Sequence, residues 1–246
     1  MKKALVLFLS LVCFSLPGSA KGERTTIWQI GTKDRSAREL ALAPDQYKSY
    51  LARDFGWEDG FYLVGKSAPE TDFPYVLPGP GDGWNGSSRG AGTRSAFQNI
   101  FFDIQKKGKG SWYLVLDFVD TQYRIPPLLK VSVNGKAFKY ELPKGEGDGS
   151  LLGDYSHAHP YTLEIPLSAS DIREGHNEIC LYSLEGSWAV FDDIRLVGPA
   201  STQLRQDFGD AYVRTVSPAS YLQRIKYPRR PRAAPLRWWS CPPPPA

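Results

Sequence analysis

The stretch YVLPGPGDGWNGSSRGAG (75–92) holds six glycines, two prolines and a single tryptophan, Trp84. It is too poor in apolar side chains to build a core and too glycine-rich to hide a ring, so it reads as a long ordered loop presenting Trp84. Asp82, Asn85 and Arg89 stand beside the indole, and Lys66 lies upstream. A flat aromatic face flanked by a carboxylate, an amide and cations can cover the apolar side of a ligand while its neighbours hydrogen-bond to hydroxyls or pair with carboxylates. The plain alternative is a ring that folds back as a lid over the edge of the core.

A second loop, DGSLLGDYSHAHPY (148–161), crowds Asp154, Tyr155, His157 and His159 into a glycine-bounded segment. Two histidines at i and i+2 could reach a zinc ion from one side of a strand, but no third ligand is evident. His157 or Tyr155 could act as a general base, yet the sequence names no cation or metal to hold the anion that would form. The plainer reading is a solvated loop that touches a ligand. Tyr123, in the polar segment DTQYR (120–124), is another exposed-looking ring. In SWAVFDDIRL (187–196), alternation places Trp188, Val190, Asp192 and Ile194 on the inward face and Asp193 outward. A carboxylate at Asp192 then requires partners. Loop backbone is the plain source; a structural calcium ion, with Asp193 as a second weak ligand candidate, is the sharper one. No phosphate loop, serine elbow or CxxC pair occurs, so no organic cofactor is expected.

The elements that must position these residues are strands. SWYLVLDFV (111–119) is apolar on both faces, as a strand inside a sheet would be. LLKVSVNGKAFKYEL (128–142) alternates and turns at Asn134-Gly135, a pair suited to a type I′ hairpin. YTLEIPL, NEICLYSL and SWAVFDDIRLV supply further strands, the last two joined by a tight turn at Glu185-Gly186; TTIWQIG, FYLVG and QNIFFDI are N-terminal candidates. AFQNIFFDI (96–104) reads one residue out of step, as a bulge would leave it. Helical signal is confined to single turns near 45–53 and 168–175. The pattern predicts an all-β fold, an antiparallel β-sandwich or jelly roll.

Composition sets the boundaries. Residues 1–20 have two lysines, an apolar run and small residues near Gly18 and Ala20, the form of a secretory signal peptide, so a secreted or periplasmic protein without membrane attachment after cleavage is expected. Residues 21–198 read as one domain. Residues 199–246 are rich in proline and arginine and read as a disordered tail. They are either a truncated or frameshifted reading of a longer gene or a segment that sticks to anionic polymers. The overall charge of +4 hides this division: residues 198–246 carry eight Lys/Arg against two Asp/Glu, and the body between leader and tail is net acidic. The basic pI therefore gives no warrant for a nucleic-acid partner. Beyond the leader only Cys180 and Cys241 remain, and no cysteine framework is evident.

IWQIGTKDRSAREL (27–40), FYLVGKSAPETDFPYVLPGPGDGW (61–84), PPLLKVSVNGKAFKYELPKGEGDGSLLGDY (126–155) and GSWAVFDDIRL (186–196) together resemble the C-terminal domain of rhamnogalacturonan lyases. That third domain is carbohydrate-binding-module-like, a jelly roll related to galactose-binding domains. The resemblance covers roughly 26–197 and implies a partner, a pectic or related plant polysaccharide. It makes Trp84, Asp82, Asn85, Arg89, Lys66, Tyr123, Tyr155 and His157 the candidate carbohydrate-binding residues. The family's catalytic lysine and histidine belong to a different domain, and no residue here is assigned their role. A non-catalytic binding module is the first expectation. A lyase acting on uronate-containing glycan through His157 or His159, and a silent packing fragment of a larger lyase, are the alternatives.

Overall fold

The computed structural model describes residues 24–53, 55, 59–85, 96–206 and 215–216. In these, twelve strands are β1 (Arg24–Gly31), β2 (Asp59–Leu63), β3 (Val76–Leu77), β4 (Gln98–Lys106), β5 (Trp112–Thr121), β6 (Leu128–Val133), β7 (Lys136–Glu141), β8 (Tyr161–Leu167), β9 (Gly175–Glu185), β10 (Ala189–Pro199), β11 (Gln203–Leu204) and β12 (Thr215–Val216). One helical turn, α1 (Pro69–Asp72), and short 3-10 turns complete them. The first sheet runs β1-β10-β5-β8 with β3 also on β10; the second runs β12-β2-β4-β9-β6-β7 with β11 also on β4. Pairing is antiparallel except for β2 beside β4. The chain is a jelly-roll β-sandwich, as the strand pattern predicts.

The core lies between the sheets. Ile30, Leu114, Leu116, Ile165, Ile194 and Leu196 face inward from the first; Ile100, Phe102, Leu129, Val131, Ile179 and Leu181 meet them from the second. Trp28 of β1 lies 5.3 Å, ring to ring, from Phe102 of β4, which locks the two layers together. The fully apolar strand at 112–119 is indeed interior, between β10 and β8. Asn134 (φ 50°) and Gly135 (φ 89°) adopt the left-handed pair that a type I′ hairpin needs.

Three expectations change. β4 pairs with β9 in continuous register from Gln98 to Ile104, without a bulge. Its alternation looks broken because both faces are buried: Ile100, Phe102 and Ile104 enter the core, while Asn99, Phe101 and Asp103 are buried on the opposite face. Residue 198 does not end the fold, because β10 runs to Pro199, β11 pairs with β4, and β12 pairs with β2. Finally, Cys180 is buried and disulfide-bonded, a pairing the cysteine count left open.

Candidate binding site

The loop carrying Trp84 is clasped to the β9–β10 turn. Asp82 is 6% exposed and lies beneath the loop. Its carboxylate accepts a hydrogen bond from Ser187 Oγ and another, 2.8 Å, from the Gly79 amide. The Gly81 amide donates to the Gly186 carbonyl at 2.8 Å. Close approach demands glycine here: a Cβ on Gly79 would sit 2.4 Å from the Gly186 oxygen, and one on Gly186 2.2 Å from the Pro126 oxygen. Burial pushes the Asp82 carboxyl up to about 6, against the lowering effect of its two hydrogen bonds. Asp82, expected on the ligand-facing surface, is therefore a clasp; in a loop with so few apolar groups, its buried hydrogen bonds do the fastening.

Trp84 stands just past this clasp, half-buried and packed against the rim of the core. Its ring meets Tyr47 edge-on at 5.2 Å and Tyr50 at 5.7 Å. Tyr50 is fully buried and accepts a 2.6 Å hydrogen bond from Gln98 Nε2. Tyr47 is half-exposed, with Lys48 Nζ 5.7 Å from its ring centre. The indole is thus neither free on a flexible loop nor closed over as a lid; it is propped from below with part of its surface left to solvent. Sequence reasoning took 45–53 only as a helical turn and missed Tyr47. The signal was QYKSY itself, two tyrosines three apart, which one turn places on one side.

The 142–160 segment reaches the same end. Gly153 packs against Pro44, where an added Cβ would meet the Pro44 side chain at 2.6 Å. Buried Tyr75 donates to the Leu151 carbonyl at 2.6 Å. Tyr155 is half-buried and packs on the core, its hydroxyl held above its usual range by burial. Underneath, fully buried Asp120 gathers the loop, accepting from Ser150 Oγ at 2.7 Å and from the Glu146 amide at 3.1 Å. Asp120 is a second residue that the sequence reading left as part of a polar loop. His157 is exposed, and His159, also exposed, has Nε2 3.6 Å from Glu146. Neither histidine is set in a buried cleft beside a cation.

Tyr123 is half-buried under the Arg124 guanidinium, 5.0 Å above its ring, next to exposed Ile125. Lys66 is exposed in the turn after β2. Arg89 and the side chain of Asn85 lie outside the described residues.

The aspartates of β10 are engaged elsewhere. Asp192 Oδ1 accepts from the amides of Asp34, Arg35 and Ser36 at 3.1, 2.9 and 3.3 Å, the loop-backbone arrangement that its inward position required. Asp193 is fully buried rather than outward and solvated, because irregular register in β10 brings it beside Asp117. Arg195 joins the two carboxylates, at 2.6 Å from Asp193 Oδ2 and 2.6 Å from Asp117 Oδ2, and Lys33 reaches Asp117 at 3.0 Å. Burial pushes Asp193 up to about 6. Among the described residues, no group of three His, Cys, Asp or Glu side chains is placed to hold a metal ion.

No curated protein matches the chain. Among solved structures it is similar to a family 35 carbohydrate-binding module from an environmental isolate, at 17% identity over 43% of this chain and 71% of that one, TM-score 0.30. It is also similar to the family 35 module of Abf62 from Cellvibrio japonicus, at 15% identity over 45% and 71%, TM-score 0.30. A third, Xyl-CBM35 in complex with a glucuronic acid containing disaccharide, shows 15% identity over 45% and 71%, TM-score 0.31. Likeness at this level carries no argument about function. The profile described as "CBM-like: Polysaccharide lyase family 4, domain III" matches residues 26–196, which begin within β1, end within β10 and enclose the clasp, the propped indole and the Asp120 loop. The chain therefore belongs to the carbohydrate-binding-module-like family of polysaccharide lyase family 4, domain III.

Proposed function

We propose that the protein is a non-catalytic carbohydrate-binding module acting outside the cytoplasm, taking pectic or related plant polysaccharide at the loop end of the sandwich. The family match supports the ligand class. The observation that carries the site is the half-buried Trp84 held edge-on by Tyr47 beside the Tyr155 loop. A sugar ring laid on these faces would remove apolar area from water without requiring the protein to order new side chains. Lys48, whose Nζ lies 5.7 Å from the Tyr47 ring, is the cation at this site suited to a uronate carboxylate, and exposed Lys66 and Arg124 are further candidates along the surface. The leader-like N-terminus and the Cys180 disulfide support export.

The test is binding of the full chain to immobilised rhamnogalacturonan and homogalacturonan, with ultraviolet detection of unsaturated product. Trp84→Ala is expected to weaken binding by about 1–3 kcal/mol, and Tyr47→Ala by a smaller amount, because it removes the prop but leaves the indole itself. Release of product would replace this reading with the lyase. Absence of binding by the folded wild type would leave a packing domain.

A further inference from the structure

We infer that the glycan site continues from Trp84 across the clasp onto the β5–β6 loop, where Ile125 and Arg124 form a second subsite. The domain then takes an internal stretch of a uronate-containing chain, not a single terminal sugar; this rests on the binding reading given above. The exposed large hydrophobics among the described residues are Ile125 and Leu152, at 50% and 57%. Scattered exposed aliphatics are ordinary, but these two stand at the end that carries the propped indole. Leu152 belongs to the segment that seats Gly153 on Pro44 and receives the Tyr75 hydroxyl at the Leu151 carbonyl. Ile125 adjoins the Trp84 loop itself, since a Cβ on Gly81 would lie 3.0 Å from Ile125 Cδ1. Trp84 is only three residues beyond Gly81, which keeps it within roughly 10 Å of that contact point.

The β5–β6 loop is held as firmly as the loop beside it. The Gln122 amide donates to the Trp188 carbonyl at 3.0 Å, and Gln122 Oε1 accepts from the amides of Arg124 and Ile125 at 2.5 and 2.8 Å. The Ser187 amide donates to the Ile125 carbonyl at 2.8 Å. The same turn fastens the Trp84 loop, through the Gly186 carbonyl to Gly81 and Ser187 Oγ to Asp82. Gly186 and Ser187 therefore tie both loops and fix Ile125 at a set offset from Trp84. Arg124 is exposed, yet its guanidinium has a defined place, 5.0 Å above the Tyr123 ring. Together Ile125 and Arg124 offer what one sugar of a uronate chain requires, an apolar surface for its C–H face and a cation for its carboxylate. With the Trp84–Tyr47 pair serving one sugar, they serve another farther along the same chain. Because both contacts are set beforehand, the second adds affinity without further ordering of the protein. Two isolated aliphatics beside a glycine-rich clasp supply far less apolar surface than the core of a protein–protein interface, which favours a narrow polar chain as the occupant.

Titration calorimetry of the full chain with oligosaccharides of graded length, cut from rhamnogalacturonan and from homogalacturonan, tests this. Affinity is expected to rise with length beyond the disaccharide. In a variant carrying Arg124→Ala and Ile125→Ser, the ratio of long-oligomer to disaccharide affinity should fall by about tenfold. Trp84→Ala should instead lower both affinities together. Both side chains of the double variant are exposed, so an unfolding midpoint close to wild type is expected and confirms that the fold is intact. A wild type that binds the disaccharide as tightly as the longest oligomer would overturn the second subsite while leaving the binding module in place. A length gain that persists in the double variant would place the second contact elsewhere and overturn it equally. If the folded wild type binds no oligomer of either kind, the binding reading fails as well, and the exposed strip belongs to a packing surface.

Discussion

Asp82 and Asp192 show how a carboxylate can be spent inside a loop-rich domain. The proton on Asp82 is held more tightly in the fold, about 6, than at its ordinary value of 3.8. Its stabilising contribution is therefore complete below the ordinary value and lost as pH rises through about 6. Glu178, pushed to about 7 by burial, acts with the same sign. Urea unfolding should accordingly show stability declining between about pH 4 and pH 8, and Asp82→Asn should flatten that decline by on the order of 2 kcal/mol. A variant with the wild-type slope would remove Asp82 from this account. Asp192, by contrast, fixes the β1–β2 loop through three backbone amides. Asp192→Ala should cost about 2–4 kcal/mol in chemical denaturation, since it leaves those donors without their shared acceptor.

Between elements, the decisive contacts join loop to loop. The segment bearing Trp84 depends on the β9–β10 turn, where Gly186 takes φ 85° and lies against Pro126. Gly186→Ala combines an unfavourable backbone conformation with a steric overlap and should lower stability by about 2 kcal/mol or more, measured as a shift in the unfolding midpoint. If glycan binding depends on the propped indole, the folded fraction of this variant should also bind more weakly. The strands were readable from sequence because apolar residues recur on alternate positions, and Asn134-Gly135 announced its hairpin. The site was readable only in part. Trp84 and Tyr155 stood out as rings in glycine-bounded loops, but Tyr47 looked like helix, and nothing local distinguished a buried Asp82 from a solvated one. Which loops meet depends on pairings between distant strands, as where Gly153 seats on Pro44. Asp193 was misplaced for a related reason: period-two alternation fails where register shifts, as it does between Phe191 and Asp193.

Over the whole molecule, the fold extends past the region shared with its family. β11 covers part of the β4 edge and β12 lies beyond β2. A chain ending after Pro199 should be less stable by about 2 kcal/mol or more and more prone to associate through the uncovered edge, by calorimetry and light scattering. The strand order has a further, kinetic consequence. β1 finds its partner in β10, where Arg24 pairs with Pro199 and Ile30 with Ile194, and β10 in turn occupies the interior of its sheet between β1 and β5. Until β10 has been synthesised, β1 has no partner and β5 has only one. Closing so long a loop before any reward places the domain among slow, high-contact-order folders, with refolding in milliseconds to seconds. A nascent chain of this kind stays open until its last strands appear, the state in which a polypeptide can still be threaded through a membrane pore.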